Sequence, residues 1–405
     1  MIQPSAPENQ PTPIDSPPTG VPPLTDTADG LTKLVQAMSL VEGPVAVDAE
    51  RASAFRYGQR AQLVQLFRRG VPIALIDPVA LPDLTALSDV LQNSQWVLHA
   101  ASQDLQCLRD VGLNPPELFD TELASRLLGY RLVGLATVVA RTLNLGLAKE
   151  HSAQDWSKRP LPASWLNYAA LDVALLLDVR DQLILELQAA GKTEIARQEF
   201  QAVLDSPPAR PRPEPWRRTS GTHKIPDRRG MAVVRSLWEA RDSLARRLDQ
   251  SPSRILPDAG IVAAGLSKPK SSDQLGDIHP FGGRGQTRRR AYWWKAINQA
   301  QRMDSGELPD MHGVRPPGPP GVRTWIKHHP EAAKRLTQVR AQLAQLSTQV
   351  SIPVENLAPA PLVRQVVFDS PQDVSATLSC GGARPWQIEL VAPLIQQAIE
   401  DHPNQ

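Results

Sequence analysis

The stretch from Pro44 to Leu66, PVAVDAERASAFRYGQRAQLVQL, decides the fold. Four small or apolar residues run straight into Asp48 and Glu50, and a second apolar run, LVQLF, follows a charged turn. Two such runs bounded by a turn read as neighbouring buried strands. On an extended chain, side chains two apart share a face, so both carboxylates stand side by side at a strand end. Like charges there repel and are costly to desolvate, so either a cation sits between them or the strand end opens to water. Solvated acids are the commoner fate of a lone Asp-x-Glu. The rest of the chain must choose between the two.

Outward from this stretch, IALID and WVLHA read as a third and a fourth strand. Helical periodicity then takes over in SQDLQCLRDVG, ELASRLLG and PASWLNYAALDVALLLDVRDQLILELQAAG, the last expected as one long amphipathic helix closed by Gly191. Short apolar runs alternating with helical segments predict an α/β domain over residues 30–204. Residues 1–29 are Pro-rich and lack both a basic n-region and an apolar h-region, so they read as a disordered tail and not as a signal peptide. No apolar run approaches the roughly 20 residues that span a bilayer. Cys107 and Cys380 give neither a disulfide framework nor zinc spacing, which fits a cytoplasmic location.

The 405 residues, 39 of them Pro, suggest two to four domains with linkers. The net charge of +2 conceals an asymmetry: residues 1–204 hold 16 Lys and Arg against 23 Asp and Glu, whereas residues 205–300 hold 19 against 9. An acidic front joined to a basic middle suits a metal-using catalytic unit coupled to something that meets a polyanion. Residues 205–230 are Pro- and Arg-rich without periodicity and read as a linker. A helical unit follows over 231–304, then a turn-rich linker over 305–327, then a second helical unit over 328–403. The two units repeat. LWEARDSLARRLDQSPSRIL can be laid on LTQVRAQLAQLSTQVSIPVENL so that Leu237, Arg241 and Leu244 meet Leu336, Arg340 and Leu343, and Pro252 meets Pro353. Further on, SKPKSSDQL matches DSPQDVSATL, and WKAINQA matches APLIQQAI.

Three more positions in the first domain stand out. Asp104 opens a helix just after WVLHA, and Tyr168 and Asp172 lie four apart, on one face of the long helix. Singly, each has an ordinary structural explanation: a charge at a helix start, or a half-buried tyrosine beside a solvated acid. Jointly, four carboxylates converging at one sheet edge are destabilising unless divalent cations bind them. All-oxygen ligands favour Mg²⁺ or Mn²⁺ over zinc, and two such ions roughly 4 Å apart serve phosphodiester cleavage.

The segments VAVDAERASAFRY, WVLHAASQDLQCL and above all KEHSAQDWSKRPLPASWLNYAALDVALLLDVRDQL resemble the three exonuclease motifs of the DEDD superfamily, in its tyrosine branch, and specifically of bacterial ribonuclease D. The tandem helical units resemble HRDC domains. The resemblance implies a ribonuclease H-like α/β exonuclease domain, a mixed sheet flanked by helices, followed by two small all-α HRDC-like domains. It implies that Asp48, Glu50, Asp104 and Asp172 hold two divalent cations, Mg²⁺ or Mn²⁺, that Asp48 bridges them, and that Tyr168 orients the attacking water. The implied reaction is metal-dependent 3′-to-5′ exoribonuclease hydrolysis releasing 5′-nucleoside monophosphates, with tRNA precursors and other RNAs bearing a free 3′ end as substrates. The first motif commonly reads Asp-Thr-Glu in that family, and Ala49 stands here for the threonine; a residue between the acids faces away, so the ligands survive.

His99, just before the second motif, reads either as a substrate contact or as a satisfied histidine at a strand end. Arg288, Arg289, Arg290 and Lys295, interleaved with Trp293 and Trp294, suit RNA phosphates, although the tryptophans fit a helical core better. Two competing functions are a 3′-to-5′ DNA exonuclease, which the same acids would serve, and a catalytically dead RNA-binding scaffold. The scaffold is disfavoured because all four acids and the tyrosine are present.

Overall fold

A computed structural model describes residues 10–147, 154–208, 211–313 and 318–404. Residues 148–153, at the head of the third motif, lie outside the described residues, as do parts of the tail and of both linkers. The described residues form eight strands, β1 (Thr12–Ile14), β2 (Leu24–Thr25), β3 (Val45–Arg51), β4 (Ala61–Phe67), β5 (Ala74–Ile76), β6 (Gln95–Leu98), β7 (Glu117–Asp120) and β8 (Leu145–Leu147). Six of them form a mixed sheet in the order β2-β5-β4-β3-β6-β7. β3 pairs antiparallel with β4 and parallel with β6. Val45, Ala46 and Val47 are fully buried. Helices cover both faces of this central strand, which is why it reads as a continuous apolar run and not an alternating one.

Two expectations for this domain need correction. Residues 10–29 are not a disordered tail: β1 pairs with β8, β2 extends the sheet edge along β5, and Thr27 caps the helix Ala28–Ser39. Residues 1–9 lie outside the described residues. A high Pro content does not prevent order there, because Pro is tolerated in short edge strands, and Thr12, Ile14 and Thr25 are strand formers. The expected single long helix is two, Ala163–Ala174 and Leu176–Ala189, broken at Leu175. Val173 through Leu177 are all buried, so no solvent face remains on a straight helix there. Gly191, with φ +66°, closes the second helix as expected.

The first helical unit has its own core, with Trp293, Phe281 and Ile255 at its centre. The basic linker joins it: Trp216, on the one-turn helix Pro215–Arg218, and Ile225, just after the one-turn helix Thr222–Lys224, are buried in that core. Likewise Trp325, placed in the second linker, is fully buried and belongs to the C-terminal unit. That unit shares one continuous core with the sheet domain.

Both units open on a 21-residue helix, Arg228–Leu248 and Pro330–Val350, closed by a left-handed residue, Asp249 and Ser351. A short helix and a ten-residue helix follow in each, the latter closed by Lys268 and Ser370. One constant spacing aligns both pairs of closing residues. It places Leu237 on Val339 and Arg241 on Leu343, three residues from the expected register, and Pro252 on Val354. A slip of three keeps an apolar helical stripe nearly in phase, so the sequence pattern alone did not resist it.

Both units grip the sheet domain. Ser251 N–H donates to the Phe55 carbonyl (2.9 Å), Tyr57 O–H to Asp242 (3.0 Å), and Arg56 pairs with Asp249 (3.2 Å), so the β3–β4 loop is clamped to the first unit. On the C-terminal side, buried Glu199 accepts from Arg384 Nη2 (2.7 Å) and from Trp386 Nε1 (2.9 Å).

Candidate active site

β3 carries Asp48 and Glu50 on one face while Ala49, between them, is buried in the core on the other. The loss of a hydroxyl at Ala49 therefore does not touch the acids. The helix Ala163–Ala174 lies against β3 and β4 and supplies Asp172 from one of its turns. Carboxylate oxygens of Asp48, Glu50 and Asp172 lie within 4.8 Å of one another. Tyr168, one turn earlier, hydrogen-bonds Asp172, and its ring centroid is 6.4 Å from that of fully buried Trp156. Asp104 enters from the end of β6, between the turn Ala101–Gln103 and the helix Leu105–Asp110, and is buried. Its Oδ1 is 3.3 Å from Arg51 Nη2. Three segments that span more than 100 residues of chain, from Asp48 to Asp172, thus meet at one site.

The electrostatics are those of crowded acids. Burial, then the charges of Asp48, Asp172 and Asp104, push the Glu50 carboxyl up to about 9. Burial and Asp48 raise Asp104 to about 8, against the pull of Arg51. Asp48 rises to about 6, mainly by burial, while the Ala49 backbone N–H holds it down. Burial and Asp48 also lift Asp172 well above the usual carboxylate range. Hard oxygen donors that cannot all ionise together are a fitting set for a divalent cation, and nitrogen or sulfur ligands are absent from the cluster among the described residues.

Known proteins resemble this chain along most of its length. A profile described as a 3′-5′ exonuclease matches residues 24–188, one described as an HRDC domain matches 231–297, and one described as a 3′ to 5′ exonuclease C-terminal domain matches 318–399. Ribonuclease D of Musicola paradisiaca is 30% identical over 292 residues, which span 71% of this chain and 77% of that protein. The chain belongs to the ribonuclease D family. Its activity is that of a 3′-to-5′ exoribonuclease. A solved protein from Bifidobacterium adolescentis matches with TM-score 0.90 and 36% identity, over 96% of this chain and all of that one. Escherichia coli RNase D, at TM-score 0.68 and 23% identity over 94% and 99% of the two chains, shares the fold.

Other residues singled out in this ribonuclease D family chain fall elsewhere. His99 is half-buried, with Nδ1 2.8 Å from Thr121 Oγ1 and a hydrogen bond to the Val133 backbone. Burial lowers its pKa to about 4, so the ring is neutral and held within the fold, as a satisfied histidine. Arg288, Arg289, Arg290 and Lys295 lie on the first helical unit, Arg288 and Lys295 exposed. Trp293 is fully buried, its Nε1 donating to Gln286 (2.8 Å), and Trp294 packs partly against the same core.

Two residues were missed. Arg51 follows Glu50 directly, and strand alternation points it away from the acids; a register shift between Glu50 and Arg51 re-aims it at Asp104. Asp120 accepts from the backbone N–H of Ala100 (3.0 Å) and Ala101 (2.8 Å) and so fixes the turn that presents Asp104. Its signal was the helix-start pattern Asp120-Thr121-Glu122, where it caps Thr121–Leu127.

Proposed function

We propose that Asp48, Glu50, Asp104 and Asp172 hold two divalent cations, Mg²⁺ or Mn²⁺, and that this site removes nucleotides singly from a free RNA 3′ end as 5′-nucleoside monophosphates. The observation that carries the reading is the convergence of three carboxylates within 4.8 Å, with Asp104 and Tyr168 beside them. When bound, the cations would supply a water of lowered pKa and neutralise charge on the leaving 3′ oxygen.

The chain's own residues do the remainder. Asp48 would be the ligand shared by the two cations, since Glu50, Asp104 and Asp172 all feel its charge. Burial and three nearby acids push the Tyr168 hydroxyl pKa up, so it stays a neutral phenol and positions water by hydrogen bonding, not as a base. Arg51 holds Asp104 in place and offsets part of the acid charge. Structured RNAs such as tRNA precursors fit as substrates: the related Escherichia coli enzyme is described as an exoribonuclease involved in structured RNA processing. The excess of basic residues in 205–300 supports a phosphate-gripping role for the first helical unit, with Arg288 and Lys295 as exposed candidates.

The test is hydrolysis of matched RNA and DNA oligonucleotides with a 3′ hydroxyl or a 3′ phosphate. Faster loss of the 3′-hydroxyl RNA, with mononucleotides carrying a 5′ phosphate, is expected. Equal or faster attack on DNA, or cleavage of internal bonds, contradicts the reading.

A further inference from the structure

Gln65 is fully buried in the middle of β4, and neither Nε2 nor Oε1 of its side chain has a hydrogen-bond partner among the described residues. Its backbone lies in ladders on both sides, with β3 and β5. A buried amide left unpaired costs free energy that Leu or Met at the same place would not, so an orphaned pair of polar atoms asks for a partner. The strand register names one. Asp48 stands directly opposite Gln65, and opposed residues on an antiparallel pair share a face with Cβ atoms roughly 4.5–5.5 Å apart. Of the residues β4 turns to this face, Ala61, Leu63, Gln65 and Phe67, only Gln65 carries a side-chain hydrogen-bond donor. The Ala49 backbone N–H already supports the Asp48 carboxylate.

We propose that Gln65 is a positioning residue for Asp48: with cations held at the site, its unpartnered carboxamide would turn to donate to the Asp48 carboxylate and fix which oxygen faces them. This rests on the reading of Asp48 as a cation ligand. Carboxylate ligands are typically held by such outer hydrogen bonds, and removing one commonly weakens metal binding by roughly 10- to 100-fold. Gln65 would touch neither substrate nor cation.

The test is Mn²⁺ binding to the full chain by calorimetry, for the wild type, Gln65→Met, Gln65→Leu, Asp48→Asn and the Asp48→Asn/Gln65→Met double variant. The expected result is a Kd raised about 10-fold or more by either Gln65 variant, with the melting temperature in EDTA unchanged or higher, and no added effect of Gln65→Met once Asp48 is Asn. Wild-type affinity in both Gln65 variants overturns the proposal while leaving the cation site standing. A lowered melting temperature in EDTA for both variants overturns it as well, because the amide is then already satisfied by the fold. A wild type that binds no Mn²⁺ removes the cation site and this proposal together.

Discussion

At neutral pH the Glu50 carboxyl faces Asp48, Asp172 and Asp104, and its pKa of about 9 against an ordinary 4.5 fixes a sign. Below 4.5 folded and unfolded chains both hold the proton and nothing is lost. As pH rises towards 9 the unfolded chain releases a proton that the fold retains, so the stability of the protein in EDTA falls across that window. Glu50→Gln should therefore raise the melting temperature in EDTA at pH 8 to 9, by about 2–4 °C for each kcal/mol regained, and abolish RNA hydrolysis. A midpoint that is flat from pH 5 to 9 in the wild type contradicts the crowding. The acids and Tyr168 were legible in the sequence because strand period, helix period and motif spacing each put them on a definite face. Arg51 was not, because its aim depends on a local register shift that alternation does not encode.

Among the elements, the four central strands were readable as apolar runs with turn signals between them. β1 and β8 were not: they are three residues each, and each finds its partner more than 100 residues away. The helical repeat was visible, yet its register was not, since residues three apart on a helix share a face. Where a close approach does fix the geometry, it gives a test. A Cβ added at Gly230 would stand 2.7 Å from both the Gly265 carbonyl oxygen and Ile225 Cγ2, where the helices Arg228–Leu248 and Asp258–Ser267 touch. Gly230→Ala should cost about 1–3 kcal/mol by overpacking, read by chemical denaturation. No change in the denaturation midpoint would mean that this contact does not set the helix crossing.

Across the whole molecule, the acidic sheet domain and the basic first unit meet at the β3–β4 loop, which begins one residue after Arg51. The C-terminal unit is bound differently, through a shared core and Glu199, which is 5% exposed. Glu199→Ala leaves Arg384 and the Trp386 indole without their acceptor and should cost about 3 kcal/mol, with little effect on hydrolysis at temperatures where the fold holds. Charge balance and composition foretold separate units, but not that the C-terminal one shares the catalytic core, because long-range packing leaves no periodic mark. If acids from these three segments work as one hydrolytic site, the rate of 3′ shortening of a 5′-labelled RNA with Mn²⁺ will show it when the wild type is compared with Asp104→Asn, Asp172→Asn and the double variant. Each single variant should lose at least about 100-fold, and the double scarcely more, because parts of one unit fail together. Losses that multiply in the double variant, or an Asp104→Asn rate within a few-fold of wild type, would mean that the acids do not act as one site.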